Sequence, residues 1–224
     1  MADTNSLRLR EAGSRETNAQ MSASRLEAFS DGVIAVIITI MVLELHVPKP
    51  DGWPGLWSVA PRLGVYLLSF LVVGIYWINH HELIRRTESV DYRVLWANLI
   101  FLFVLSLIPY FVDYLDEKAF DSFATILYDV TMLAAGGAFF LLRWAVMRRQ
   151  LFAGSLQHTD ESELWRHTAS LGIYLLSIAV AFYQPWLSLT INALVTVVWV
   201  VPGPRVAAGA EERATADHST RPIE

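Results

Sequence analysis

Asp31 lies inside the run RLEAFSDGVIAVIITIMVLEL, Arg25 to Leu45, which is otherwise suited to hydrocarbon for most of its length. A carboxylate at that depth on a lipid-facing surface costs about 2.5 to 3.5 kcal/mol even on the lenient insertion scale, so Asp31 must face protein or water. Groups able to satisfy it recur further along. Trp77, Asn79, His80 and His81 fall in IYWINHHELIRR, Asn98 falls in VLWANLIFLF, and Arg25 precedes the acid on its own segment. Trp77 and His80 are three apart and share one helix face, so a Trp, His, Asn and Asp network between helices is the expected arrangement. The simpler alternative is a lone Asp31 bonded near Ser30 or meeting water at a thinned interface. Two adjacent histidines without a third convergent ligand give no metal site, and none is expected.

The elements that carry these residues are membrane spans. The chain has 224 residues, of which 54% are hydrophobic and 17% charged, with a mean hydropathy of +0.39. Several apolar runs approach the roughly 20 residues that cross a bilayer as helix. The fold class expected is an all-α integral membrane protein with six transmembrane helices: Arg25 to Leu45, Ala60 to Asn79, Tyr92 to Val112, Phe123 to Trp144, Leu164 to Gln184 and Trp186 to Val201. Pro185 separates the last two, because it removes a backbone donor. Residues 1–24 then form an amino-terminal tail, 25–201 the transmembrane domain, and 202–224 a disordered tail rich in Ala, Glu, Arg and Thr.

Direction follows from the basic residues. Of 17, 14 fall in the amino-terminal segment, the second-to-third and fourth-to-fifth connections and the carboxyl tail, leaving Lys49, Arg62 and Lys118 for the other side. Positive charge stays cytosolic, so both termini are expected in the cytosol of a multi-pass protein of the cell membrane. Tryptophans at both sets of helix ends agree with interfacial belts. The outer loops carry Asp51, Asp113, Asp116, Glu117 and Asp121, a mildly acidic rim. The amino-terminal segment has no apolar signal region. With no cysteine, disulfides, thiolate catalysis and Cys-ligated zinc are excluded.

Ser24 followed by Glu27 reads as a capping box that starts the first helix near Arg25. With Asp31 at 0° and 100° per residue, Val36 falls near 140°, Thr39 near 80°, Ile40 near 180° and Leu43 near 120°. These four share a stripe, extended towards the cytosol by Phe29 and Gly32, whereas Asp31 points to its side. In most membrane helices such a stripe is packing, and a threonine bonds back to a carbonyl of the preceding turn. Asp129, inside the fourth span, is a second intramembrane acid, and Arg62 at similar depth is its expected partner.

Arg25-x-x-x-Phe29-Ser30-Asp31-Gly32 followed by an apolar helix resembles the first helix of bacterial members of the transmembrane protein 175 family, the endolysosomal potassium channels. IYWINHHELIRR and VLWANLIFLFVLSLIPY extend the resemblance. It implies a potassium-selective cation channel with first helices around a central pore. Animal members carry two six-helix repeats and form dimers, so one repeat implies a homotetramer. The resemblance maps the apolar constriction onto Val36, the hydroxyl layer onto Thr39 and further narrowings onto Ile40 and Leu43; Arg25, Phe29, Ser30, Asp31, Gly32, Trp77, His80 and Asn98 form the motif and inter-helix network. A valine stands at the constriction where leucine or isoleucine is usual.

No T-V-G-Y-G segment is present, so a carbonyl-lined filter is excluded and selectivity must come from side chains. The expected partners are the bilayer, identical subunits and permeant potassium, with no cofactor, metal or nucleic acid. A secondary cation transporter is the alternative, but it requires inverted repeats and broken helices with midplane charges, which the chain does not show. An enzyme requires a nucleophile beside its base, absent from the His80, His81, Asn79 and Asp31 cluster, so no enzyme activity is expected.

Overall fold

The computed structural model describes residues 3–45, 51–85, 87, 90–153 and 161–200, with side chains placed for 23–45, 51–85, 87, 90–148 and 164–200. Among them lie α1 (Asp3–Leu43), α2 (Trp53–Ser58), α3 (Ala60–Arg85), α4 (Tyr92–Ser106), α5 (Ile108–Glu117), α6 (Ser122–Ala153), α7 (Glu161–Ala181) and α8 (Pro185–Val200), and no strand. Four segments are long and apolar enough to cross a membrane: Ala23–Leu43, Ala60–Arg85, Tyr92–Glu117 and Ser122–Arg148. The expected carboxyl-terminal tail lies outside the described residues.

Three boundaries depart from expectation for backbone reasons. The first helix does not begin at a capping box; α1 is continuous from Asp3 through Ser24. The segment before Arg25 holds no proline and many Ala, Leu, Arg, Glu and Gln residues. Once the apolar part is helical, such residues let the helix propagate backwards. The third span is broken in two. Pro109 has no N–H and crowds the carbonyl four residues back, so α4 closes with Leu107 N donating to Val104 O at 3.1 Å, and α5 begins with the proline in its first turn. The fourth runs on past Trp144 to Ala153.

Local signals place the other ends. Asp91 caps α4 by accepting from Val94 N at 2.9 Å, and Asp121 caps α6 by accepting from Ala124 N at 2.7 Å, each quenching an orphan amide. Between α5 and α6 the chain turns through left-handed Ala119 and Phe120; Phe120 is held there by packing on Trp186, ring centroids 4.8 Å apart. At Gln184 and Pro185 the chain reverses, so α7 and α8 form the expected helical hairpin.

α6 is the hub, packed against α4, α5, α7 and α8. Tyr128, Met132, Ala135, Phe139 and Leu142 recur along it every three or four residues and are all buried, the spacing of one helix face. Its Gly136 is needed for close approach: a Cβ there would come within 2.9 Å of Leu171 Cδ2 on α7. A row of rings crosses the bundle through this layer. Tyr76 meets Phe101 at 5.6 Å, Phe101 meets Phe139 at 5.4 Å, Phe139 meets His167 at 5.4 Å, and His167 meets Trp199 at 4.5 Å.

Phe139 joins this row from three sides, so Phe139→Ala should cost about 3 to 5 kcal/mol, the range for truncating a buried phenylalanine. The readout is the thermal unfolding midpoint of the detergent-solubilised protein. An unchanged midpoint would show that the row contributes no packing energy.

Candidate functional site

The side chains around α1 divide by face. Ala23, Leu26, Ser30, Ile34, Ile37 and Met41 are buried, at the three-and-four spacing of one helical stripe. From this face the chain is anchored by hydrogen bonds. His80 Nε2 and Asn98 Oδ1 are 2.8 Å apart, Asn98 Nδ2 donates to Ser30 Oγ at 2.9 Å, and Ser30 Oγ donates to Leu26 O at 2.9 Å. Since Asn98 presents its oxygen to the imidazole, His80 must carry its proton on Nε2. The relay therefore runs in one direction, from α3 through α4 into α1. His80, Asn98 and Ser30 are all fully buried, and unpaired buried groups of this kind would be costly.

Asp31 is satisfied separately. Trp77 Nε1 donates to Asp31 Oδ1 at 2.8 Å, so the acid reaches α3 sideways. Trp77 stacks on His81, ring centroids 6.1 Å apart, and His81 Nδ1 lies 2.7 Å from Glu27 Oε1. Two residues one turn apart on α1, Glu27 and Asp31, thus face two residues one turn apart on α3. The single Trp, His, Asn and Asp network expected around Asp31 is not what the structure holds: Trp77 alone of the expected partners bonds to Asp31, and His80 and Asn98 bond through to Ser30 instead. Asn79 joins neither set, because its amide donates to Ile75 O at 2.8 Å. Glu27 was missed as a partner; its i, i+4 spacing from Asp31 was the signal available.

Arg25, Phe29 and Gly32 lie outside the network, on the opposite face of α1. That face continues through Val36, Thr39, Ile40 and Leu43. Phe29 is 52% exposed, Val36 55%, Ile40 41% and Leu43 75%, so the described residues leave the stripe largely uncovered. Gly32 leaves open space where a Cβ would stand. Beside the stripe runs a broad groove of about 670 Å³, bounded by Phe29, Gly32, Val36 and Ile40 on one side and Pro109 and Tyr110 on the other.

Thr39 behaves as an ordinary membrane threonine at its proton. Oγ1 donates to Ala35 O and Val36 O, each at 3.0 Å. Its proton is thereby turned back to the carbonyls of the preceding turn.

The expected pairing of Asp129 with Arg62 does not form. Arg62 pairs with Asp116 of α5. Asp129 is fully buried and accepts from Ser188 Oγ at 2.5 Å and Asn192 Nδ2 at 2.6 Å, both on α8. The chain reversal before α8 turns one face of that helix to α6, a tertiary result that depth along separate spans does not reveal.

Comparison with known proteins bears on this geometry. Residues 25–109, which hold the α1 motif and both arms of its network, match the family described as endosomal/lysosomal potassium channel TMEM175. A potassium channel of Chryseobacterium sp. is 36% identical over 192 residues, covering 86% of this chain and all of its own length. The chain belongs to the TMEM175 family. A second relative in it, a potassium channel of Streptomyces collinus, is 34% identical over 77% of this chain and 88% of its own. The crystal structure of a lysosomal potassium-selective channel TMEM175 homolog from Chamaesiphon minutus superposes with a TM-score of 0.68 at 26% identity, over 80% of this chain and 97% of that one.

Within this TMEM175 chain the Asn98 relay is exposed to a simple test. Asn98→Leu removes the partner of both His80 and Ser30 and should cost about 1 to 3 kcal/mol for each buried group left unpaired. Ser30→Ala should cost less, because His80 keeps its acceptor. Thermal midpoints of the two variants in detergent check the order, and equal midpoints for both and wild type would remove the relay as an anchor.

Proposed function

We propose that the chain is a potassium-selective channel of the cell membrane, built as a homotetramer with the exposed stripe of α1 around a central pore. The observation that carries this reading is the division of α1 itself: one face is packed and hydrogen-bonded into its own subunit, while the face with Val36, Thr39, Ile40 and Leu43 is left uncovered. A closed symmetric assembly covers such a stripe with copies of itself. The groove between the α1 stripe and the Pro109 and Tyr110 edge offers a neighbouring first helix a place to pack. In this reading α1, α3, α4 with α5, α6, α7 and α8 make six crossings, and the even count returns both termini to the cytosol, in agreement with the basic residues.

Four Val36 side chains form an apolar ring that admits ions only on widening or partial dehydration, and dewetting closes it. Four Thr39 hydroxyls, one turn deeper, replace part of the lost water. Their protons are already engaged with Ala35 and Val36 carbonyls, so each ring member presents lone pairs to the axis. Potassium surrenders hydration more cheaply than sodium, so the ring favours potassium without a carbonyl filter. Ile40 and Leu43 extend the apolar wall, and Asp31 with Trp77, together with Ser30, Asn98 and His80, hold α1 at a fixed rotation. Potassium is the permeant ion, and no cofactor takes part.

The purified protein in liposomes should pass potassium under an electrical gradient alone; absence of flux at all potentials would overturn the reading. Thr39→Ala should lower the potassium-to-sodium permeability ratio by roughly three- to tenfold, equivalent to about 0.7 to 1.4 kcal/mol. Bilayer recording checks this, and an unchanged ratio would remove Thr39 from selectivity.

A further inference from the structure

α7 and α8 face each other with polar residues at helical spacing: His167, Ser170, Tyr174 and Ser177 on one, Ser188, Asn192, Thr196 and Trp199 on the other. Nearest the hairpin turn the seam closes on itself. Ser177 Oγ and Ser188 Oγ are 2.8 Å apart, and Ser188 continues to Asp129. Towards the other end Trp199 Nε1 donates to Ser170 Oγ at 2.8 Å. Between these closures, where α3 and α6 meet the seam, lies a cavity of about 40 Å³ whose walls include Tyr76, Gly136, His167, Ser170 and Tyr174.

Three polar groups at this cavity have no hydrogen-bond partner among the described residues: the Tyr76 and Tyr174 hydroxyls and the His167 imidazole. Tyr174 and His167 are 6% and 9% exposed, and Tyr76 is half-buried. The contrast within the same subunit is Tyr128, fully buried, whose hydroxyl lies 3.0 Å from Ser69 Oγ. An unpaired buried hydroxyl costs about 1 to 3 kcal/mol, and three such groups converge on one cavity. Buried waters make about three hydrogen bonds, and one water needs roughly 10 to 15 Å³ of accessible space. The cavity exceeds that, so it has room for ordered water beside these groups.

We propose that this cavity is a built hydration site in which ordered water joins α3 to the α7–α8 hairpin. Each tyrosine hydroxyl donates to water, and water donates to the unprotonated nitrogen of His167. Tyr76 precedes Trp77 on α3 and lies about one turn from His80, so the water braces the same helix that holds α1. None of the residues lining the cavity belongs to the exposed α1 stripe, so the proposal does not rest on the proposed ion pathway.

Water-edited solid-state NMR of the full chain in lipid bilayers tests the site, with Tyr128 as internal control. Magnetisation should pass from water to the Tyr174 and His167 side chains several-fold faster than to Tyr128. Tyr76→Phe combined with Tyr174→Phe should bring His167 down to the Tyr128 rate. Gly136→Ala gives a second route that keeps all three polar groups: its new methyl crowds Leu171 Cδ2 at 2.9 Å and Tyr76 Oη at 3.4 Å, and by narrowing the cavity should slow transfer to both residues. Equal rates at Tyr128, Tyr174 and His167 in the wild type overturn the proposal. Fast transfer to His167 that survives both the tyrosine pair and Gly136→Ala also overturns it, since the water would then reach the ring by another path.

Discussion

A helix in lipid has no water to satisfy stray polar groups, so every hydrogen bond that one span makes to another fixes its rotation as well as its position. In this chain the bonds from α3 and α4 to Ser30 and Asp31 do this for α1. Ser30 is held from Asn98 and Asp31 from Trp77, two attachments one residue apart and therefore about 100° apart around the axis. One attachment would permit α1 to swivel; two in different directions do not. The outward stripe of Val36, Thr39, Ile40 and Leu43 is a consequence of that lock, since it is what remains when the opposite face is committed.

The same constraint explains the other buried polar groups. Asp129 could not stay unpaired in the middle of α6, and the α7–α8 hairpin supplies Ser188 and Asn192 to it. Arg62 of α3 and Asp116 of α5 neutralise one another. Polar groups are concentrated where helices must keep a particular register, and the small residues that permit close approach accompany them, as Gly136 does against Leu171. Aromatic packing then fills the space between, with Phe101 and Phe139 at the centre of a row that reaches from α3 to α8.

A selective pathway made of side chains differs in kind from one made of carbonyl oxygens. A carbonyl filter presents backbone that is held by its own loop, whereas a threonine ring depends on the rotation of the helices that carry it. In the proposed pore, a small swivel of α1 would move Thr39 off the axis and replace it by a neighbour of different chemistry. In that reading the anchoring relay and the exposed stripe are two sides of one requirement, and Asn98 and His80, on other helices, would bear on permeation by fixing the rotation of α1.

By itself the sequence determined that the chain is helical and membrane-embedded, where most spans lie, that Asp31 needs a partner, and that Trp77 stands at the right depth to serve it; His80 and Asn98, offered for the same role, hold Ser30 instead. Those conclusions rest on local quantities: the length of an apolar run, the cost of a charge in hydrocarbon and a periodicity of 3.6. It was less informative where the competing forces were non-local. The backward growth of α1 past Ser24 and the break before Pro109 turn on the balance between helix propagation and a single local signal. That Asp129 meets α8 and Arg62 meets Asp116 was decided only by the tertiary structure, because depth along a span says nothing about which neighbour a helix turns towards. Which face of α1 is buried was decided in the same way, since both of its faces are mostly apolar and only the hydrogen bonds arriving from α3 and α4 distinguish them.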